Sequence, residues 1–180
     1  MDFVFTEEQK ILQRNVRDFA RKEIEPFATR IDQEEEFPWE NVRKMGQMGL
    51  MGVTIDPKYG GTGGSYIDLA IVAEELARVC ASTAVIYIAS LSLACQAIHT
   101  FGNEEQKSRL VTPLARGEKL AAFALTEPGA GSDVASLRTA ALPHDNSYFL
   151  NGSKTFITNG DVADTLVVFA TVDRSLGSKG

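Results

Sequence analysis

The sequence predicts an α+β protein: an all-α helical bundle over residues 1–117, then over 118–180 the first strands of an antiparallel β domain. Three observations predict it. The hydrophobic period is helical up to about Gly117 and alternating beyond it. Capping signals, Thr6 with Gln9 and Asn103 with Gln106, recur in the first part. Asn-Gly pairs at 151–152 and 159–160 punctuate the second as hairpin signals.

In the first helix Ile11, Leu12, Val16, Phe19 and Ala20 form one apolar stripe, and Pro26 is expected to end or redirect it. Pro38 suits a first helical position, and Val42, Met45 and Met48 or Gly49 repeat at helical spacing until the glycines stop them. The loop "DPKYGGTGGSY" precedes a largely buried helix over 68–79, which carries Leu69, Ile71, Val72, Leu76 and Val79. After a break near 80–82, a second helix runs from about 83 to 100 and a shorter one from 103 to about 115. Four runs then read as strands: "KLAAFAL", "SLRTAAL", "SYFLNGSKTFITNG" and "DTLVVFATV". Turns too short for a crossover helix join them, so the sheet is expected to be mainly antiparallel. The sequence stops after a strong strand, with about five strands and an uncovered edge, as a fragment would.

Composition narrows the function. A net charge of −6 over 180 residues, without a Lys/Arg cluster, argues against a nucleic-acid groove. Hydrophobic content of 44% and charge of 23% are those of an ordinary globular protein. Cys80 and Cys95, on one straight helix, would stand about 22 Å apart and cannot bridge. Free thiols, and a start at Met1-Asp2-Phe3 without a basic and apolar leader, point to a reducing cytoplasm, where the sequon Asn151-Gly152-Ser153 is a turn. The stretch 79–103 carries no formal charge, but Ser82, Thr83, Ser90, Ser92, Gln96 and His99 interrupt it, which favours a buried helix over a membrane span.

Few residues are placed for chemistry. Gly60-Gly61-Thr62-Gly63-Gly64 lies between a strand-like run and a helix as a dinucleotide loop would, yet Tyr66 occupies the third glycine position and no P-loop Lys follows. It reads as a connector with Ser65 capping the next helix. "FALTEPGAGSDVAS", 123–136, is different: Pro128 presets a turn, Gly129 and Gly131 allow positive φ, and successive N–H groups there can form an anion nest. Ser132 offers a hydroxyl. A plain structural turn explains the same residues. In "SKTFITNG" Phe156 and Thr158 alternate onto one strand face, as a platform for a planar ring or as bland alternation. Neither His99 nor His144 has a metal or nucleophile partner in sequence, and no metal site is expected.

These residues resemble the acyl-CoA dehydrogenase family. "FALTEPGAGSD" is similar to its first signature, "NGSKTFITNG" to its flavin-stacking hairpin, and "GLMGVTIDPKYGGTGGSY" to the loop joining its helical-domain elements; the similarity covers the whole chain in order. The resemblance implies an FAD site: Phe123, Ala124, Leu125 and Thr126 with Gly131 and Ser132 contacting FAD, Leu125 and Thr126 at the pyrimidine edge, Gly131 and Ser132 by the pyrophosphate. Phe156 would stand against the isoalloxazine, with Ile157 between it and Thr158, which would bond N5. Where the family often has Trp, this chain has Phe156. Ser132 would also touch the acyl-CoA substrate, and Val85, Ile86, Ala89 and Leu93 share an expected inward face on the acyl pocket, although plain core packing explains them too. The implied reaction is α,β-dehydrogenation of an acyl-CoA to trans-2-enoyl-CoA, as in β-oxidation, with electrons passing to an electron-transfer flavoprotein, and the implied full-length assembly is a homo-oligomer, a tetramer. The family's catalytic Glu lies in a C-terminal domain, so none of the 24 acidic residues here inherits it; Glu127 and Asp133 are expected to brace the turn. An acyl-CoA oxidase or flavin monooxygenase of the same fold, or a non-catalytic subunit, are the other readings.

Overall fold

The computed structural model describes residues 4–180; the opening Met1-Asp2-Phe3, on which the compartment argument drew, lies outside them. Helix α1 (Glu7–Phe19) starts on a complete capping box between Thr6 and Gln9. Its stripe is narrower than expected, with Val16 and Ala20 buried, Leu12 and Phe19 partly so, and Ile11 exposed. Pro26 does not end the helix. A π segment (Ala20–Ile24) widens the ladder just where the proline has no N–H to give, and the chain continues as α2 (Glu25–Glu34). Helix α3 (Trp39–Gln47) follows Pro38, which caps it from one position earlier than expected.

The connector that mimicked a dinucleotide loop folds on itself. Thr62 N–H donates to Gly52 O (3.0 Å), Gly63 N–H to Ile55 O (2.9 Å) and Gly64 N–H to Val53 O (2.7 Å). Its amides are therefore spent inside the loop, and a Cβ on Gly61 would fall 2.0 Å from Ile55 O, so the glycine serves close approach of backbone to backbone. Ser65 and Asp68 then form the capping box of α4 (Tyr66–Ala77).

The apolar stretch gives α5 (Ala81–Ile88), a π segment (Ala89–Cys95) and α6 (Gln96–Phe101). Its 21 residues and mean hydropathy of 1.6 would suffice for a membrane span by length and composition, but half of the apolar window is buried in the fold. Tyr87 and Leu91 lie at the centre of the core with Met45, Leu76 and Leu114. Cys80 and Cys95 are both free and buried, and burial pushes the Cys95 thiol up to about 12. A capping box of Asn103 and Gln106 starts α7 (Glu104–Gln106), which passes through a third π segment into α8 (Thr112–Ala115).

The strands depart from expectation. β1 (Ala121–Ala124) pairs with β4 (Thr165–Val168) in parallel, in the register Ala121 to Thr165. Only β2 (Ala140–His144) and β3 (Ser147–Asn151) are antiparallel. The hairpin turn is Asp145-Asn146, with Asp145 at φ +49°, and neither Asn-Gly pair makes a hairpin. The two sheets meet through a parallel bridge, Ala141 N–H to Thr171 O (2.9 Å) and Thr171 N–H to Thr139 O (2.9 Å). Short turns do join neighbours, but the strand between 153 and 160 does not form, so the chain is free to return β4 alongside β1.

One buried ion pair holds α1 to α4. Arg17 donates Nε to Glu75 Oε2 (2.9 Å) and a terminal nitrogen to Oε1 (2.7 Å), and Glu75 is 1% exposed. These hydrogen bonds outweigh burial and hold the Glu75 carboxyl below its usual range. Arg17→Met should therefore cost roughly 1–3 kcal/mol in chemical unfolding, because it leaves a buried carboxylate with Arg78, 3.8 Å away, as its remaining counter-charge. Adding Glu75→Met should restore most of that loss; a double variant as unstable as the single one would refute the assignment.

Candidate functional site

The two stretches singled out in the sequence are laced together. Thr155 N–H donates to Thr126 O at 3.0 Å, and Lys154 reaches back with Nζ to Leu125 O (2.8 Å) and Glu127 Oε1 (2.9 Å). Glu127 also takes N–H bonds from Arg138 (2.6 Å) and Thr139 (2.8 Å). Burial would raise this carboxyl, but Thr139, Lys154 and the Arg138 N–H lower it further, to about 2. Glu127 thus braces the turn, as expected. Asp133, expected to do the same, bonds only to Ser136 among the described residues: its carboxylate accepts from the hydroxyl and its main-chain carbonyl from the N–H (3.2 Å), at the start of the next short helical turn. Sequence reasoning missed Lys154: nothing in the order of residues says that a lysine on the second stretch finds a carboxylate on the first.

The turn is closed by reciprocal bonds between Glu127 and Ala130 (3.0 and 3.2 Å) around Pro128 and Gly129. Neither Gly129 nor Gly131 has a positive φ, so the left-handed steps of an anion nest are not formed there. A Cβ on either glycine would meet nothing within 4 Å. Neither φ nor internal packing requires these glycines, and they leave an open approach beside the exposed Ser132. Gly152 does require its lack of a side chain, since a Cβ would sit 2.4 Å from Thr139 Oγ1. The first Asn-Gly signal, at 151–152, therefore marked a tight contact instead of a bend.

Residues 153–160 form a loop, not a strand. Phe156 has φ +55° and Asn159 φ +65°, which breaks the two-residue alternation. As a result Phe156 and Thr158 do not share a face. Phe156 and Ile157 line a cleft of about 500 Å3 with Ala124 and Lys154. Thr158 lines a second of about 440 Å3 with Val85, Ile86 and Phe37. The Phe156 ring is 91% exposed, on a backbone that a bulky residue adopts only at a cost. Phe123, by contrast, turns its ring inward, 4.9 Å from that of Phe169, leaving its backbone to the site.

The expected inward face of the apolar helix is split. Ile86 and Ala89 are buried, while Val85 and Leu93 are 49% and 43% exposed. The π segment from Ala89 to Cys95 closes its turns every five residues and so shifts the register on which that face was drawn. Of the four, Val85 and Ile86 reach the cleft that holds Thr158.

The Glu127 pairing has a pH signature. Its folded value of about 2 lies below the ordinary 4.5, so its contribution is full above 4.5 and disappears as pH falls toward 2. Glu127→Gln leaves Lys154 buried without a counter-charge and should cost about 3 kcal/mol at neutral pH. The gap between wild type and variant in urea unfolding should close over that acid range, and a constant gap would contradict the pairing.

Comparison with known proteins agrees with this geometry. Residues 6–118 match the acyl-CoA dehydrogenase N-terminal domain, and residues 122–180 the middle domain. The chain is 49% identical over 180 residues to the short-chain-specific acyl-CoA dehydrogenase of Clostridium acetobutylicum, covering 100% of this chain and 48% of that protein. It superposes on butyryl-CoA dehydrogenase from Megasphaera elsdenii with a TM-score of 0.94 at 39% identity, over 100% of this chain and 48% of that one. A chain in the structure described for the electron transferring flavoprotein of Acidaminococcus fermentans gives 0.95 at 39% identity, over 100% and 47%. The chain thus spans about half the length of the relatives it matches. Both domains are matched in order along one polypeptide, and the laced segments fall at the start and within the second of them: the chain belongs to the acyl-CoA dehydrogenase family.

Proposed function

We propose that this chain supplies the flavin platform and part of the acyl pocket of an FAD-dependent acyl-CoA dehydrogenase, which converts an acyl-CoA to the trans-2-enoyl-CoA. Phe156 carries the reading. An aromatic ring left 91% exposed on a left-handed backbone, beside a cleft of about 500 Å3, is a surface shaped for a flat ring to cover. The open glycines at 129 and 131 fit the same group, since they let its phosphates approach the backbone.

The residues would divide the work as follows. Phe156 would pack against the isoalloxazine from one cleft, and the Thr158 hydroxyl would donate toward N5 from the other. The carbonyls of Leu125 and Thr126 are engaged by Lys154 and Thr155, which leaves their N–H groups for the pyrimidine edge. Gly131 and Ser132 lie by the pyrophosphate, and Ser132 also meets the thioester's carrier. FAD bound there would supply the redox chemistry, as acceptor for the hydride leaving the β-carbon. Val85 and Ile86 exclude water on the substrate side, where a dry wall strengthens every hydrogen bond to the reacting thioester. Glu127 is not the base: its carboxylate is turned inward and held by Lys154 and two amides.

The short-chain-specific relatives support a short acyl chain, and the similarity to a chain in the electron transferring flavoprotein structure supports such a flavoprotein as acceptor; the family resemblance adds a homo-oligomer, a tetramer in the full-length form. The two buried free thiols suit a reducing compartment such as the cytoplasm.

The full-length protein should be yellow and should bleach without oxygen when butyryl-CoA is added, more readily than with octanoyl- or palmitoyl-CoA. A protein that remains colourless after reconstitution with FAD would defeat the proposal, and rapid reoxidation in air with peroxide release would redirect it to an oxidase. Phe156→Ala should weaken FAD binding roughly three- to tenfold by fluorescence titration, the scale of one lost stacking contact.

A further inference from the structure

The loop carrying Phe156 and Thr158 is anchored at its first half by Lys154 and Thr155. A single side chain anchors its second half. Asn159 is 5% exposed, and its Nδ2 donates to two main-chain carbonyls, Ile86 O in α5 (3.2 Å) and Ala121 O at the start of β1 (3.1 Å). Ala121 in turn gives its N–H to Ser90 Oγ (3.1 Å) in the π segment after α5. Helix, strand and loop therefore meet at one residue. Because both partners of Nδ2 can only accept, the orientation of the amide is fixed.

This arrangement is costly. Asn159 holds φ +65°, and its Oδ1 is buried with no hydrogen-bond partner among the described residues. A glycine would make the same bend without either cost, and the turn bonds from Val162 and Ala163 N–H (3.2 and 2.9 Å) go to the Asn159 backbone carbonyl, which every residue has. What only the asparagine adds is the pair of donors that ties Thr158's neighbour to Ile86's carbonyl. Thr158 and Ile86 line the same cleft of about 440 Å3.

We infer that Asn159 is a positioning residue for hydride transfer: it fixes the separation between Thr158, which holds the flavin, and the α5 wall that holds the acyl chain. The inference rests on the flavin and acyl-CoA reading above. Reacting atoms must stand about 3–3.5 Å apart, and a misplacement of about 1 Å costs roughly a hundredfold in rate. Asn159 lines this cleft as well, but its amide donors are spent on the two main-chain carbonyls, so it controls that distance as a tether between the walls.

The test uses the full-length flavoprotein and three anaerobic arms with butyryl-CoA. Wild type must bleach; if it does not, the functional reading fails, and this inference with it. In Asn159→Gly the backbone is unstrained and only the donors are lost. Its flavin-loaded fraction should bind butyryl-CoA within about threefold of wild type yet bleach roughly ten- to a hundredfold more slowly. In Asn159→Asp the carboxylate faces two carbonyls, so bleaching should be slow at neutral pH and recover as pH falls and the protonated acid regains one donor. Wild-type bleaching by the loaded glycine variant, with only its melting temperature lowered, would reduce Asn159 to a structural brace. If that variant loses its flavin, the aspartate profile decides: recovery in acid supports the tether, and a profile parallel to wild type overturns it.

Discussion

A buried ammonium must find a carboxylate, and the place where Lys154 finds one determines how the second half of this chain is assembled. Its partner Glu127 lies 27 positions earlier, beyond a hairpin, and the pair is nearly closed to solvent. Leaving either group alone there costs several kcal/mol. The bend at Pro128 and the loop at Phe156 thus cannot drift apart while the protein stays folded. Everything attributed to the flavin platform presupposes that closure, because an exposed ring is useful only if its distance from the opposite wall is constant.

The helical half supplies a rigid floor. Arg17 and Glu75 fasten α1 to α4, Asn41 bonds Thr83 across the core at 2.9 Å, and Ser90 and Asn159 fasten β1 to α5 and the segment after it. These polar contacts inside the core join elements distant in sequence. Apolar packing fills the volume, and these directional bonds select one arrangement within it.

What the sequence made legible was local. Capping boxes at Thr6 and Asn103 were read correctly because donor and acceptor lie three residues apart. The break at Cys80 and the helix after it followed from period and composition. Non-local choices were not legible. The parallel pairing of β1 with β4 depends on the length of the returning chain, and the alternation drawn through 153–160 failed at Phe156, an aromatic for which positive φ is unfavourable. Leu93, drawn on one face with Ile86 and Ala89, is 43% exposed while they are buried, because it lies in a π segment whose register no hydropathy pattern announces. At the candidate site, residue types were readable from the motif, whereas the two that hold it were not: Lys154 finds a carboxylate 27 positions away, and Asn159 acts through main-chain carbonyls that carry no side-chain signature.

The deep placement of Cys95 has a chemical consequence. Burial favours the neutral thiol over the thiolate, so the sulfur keeps its proton at neutral pH. Peroxide attacks thiolates, not thiols. A cysteine kept in the interior in this way is spared the slow oxidative ageing that a surface sulfur would suffer.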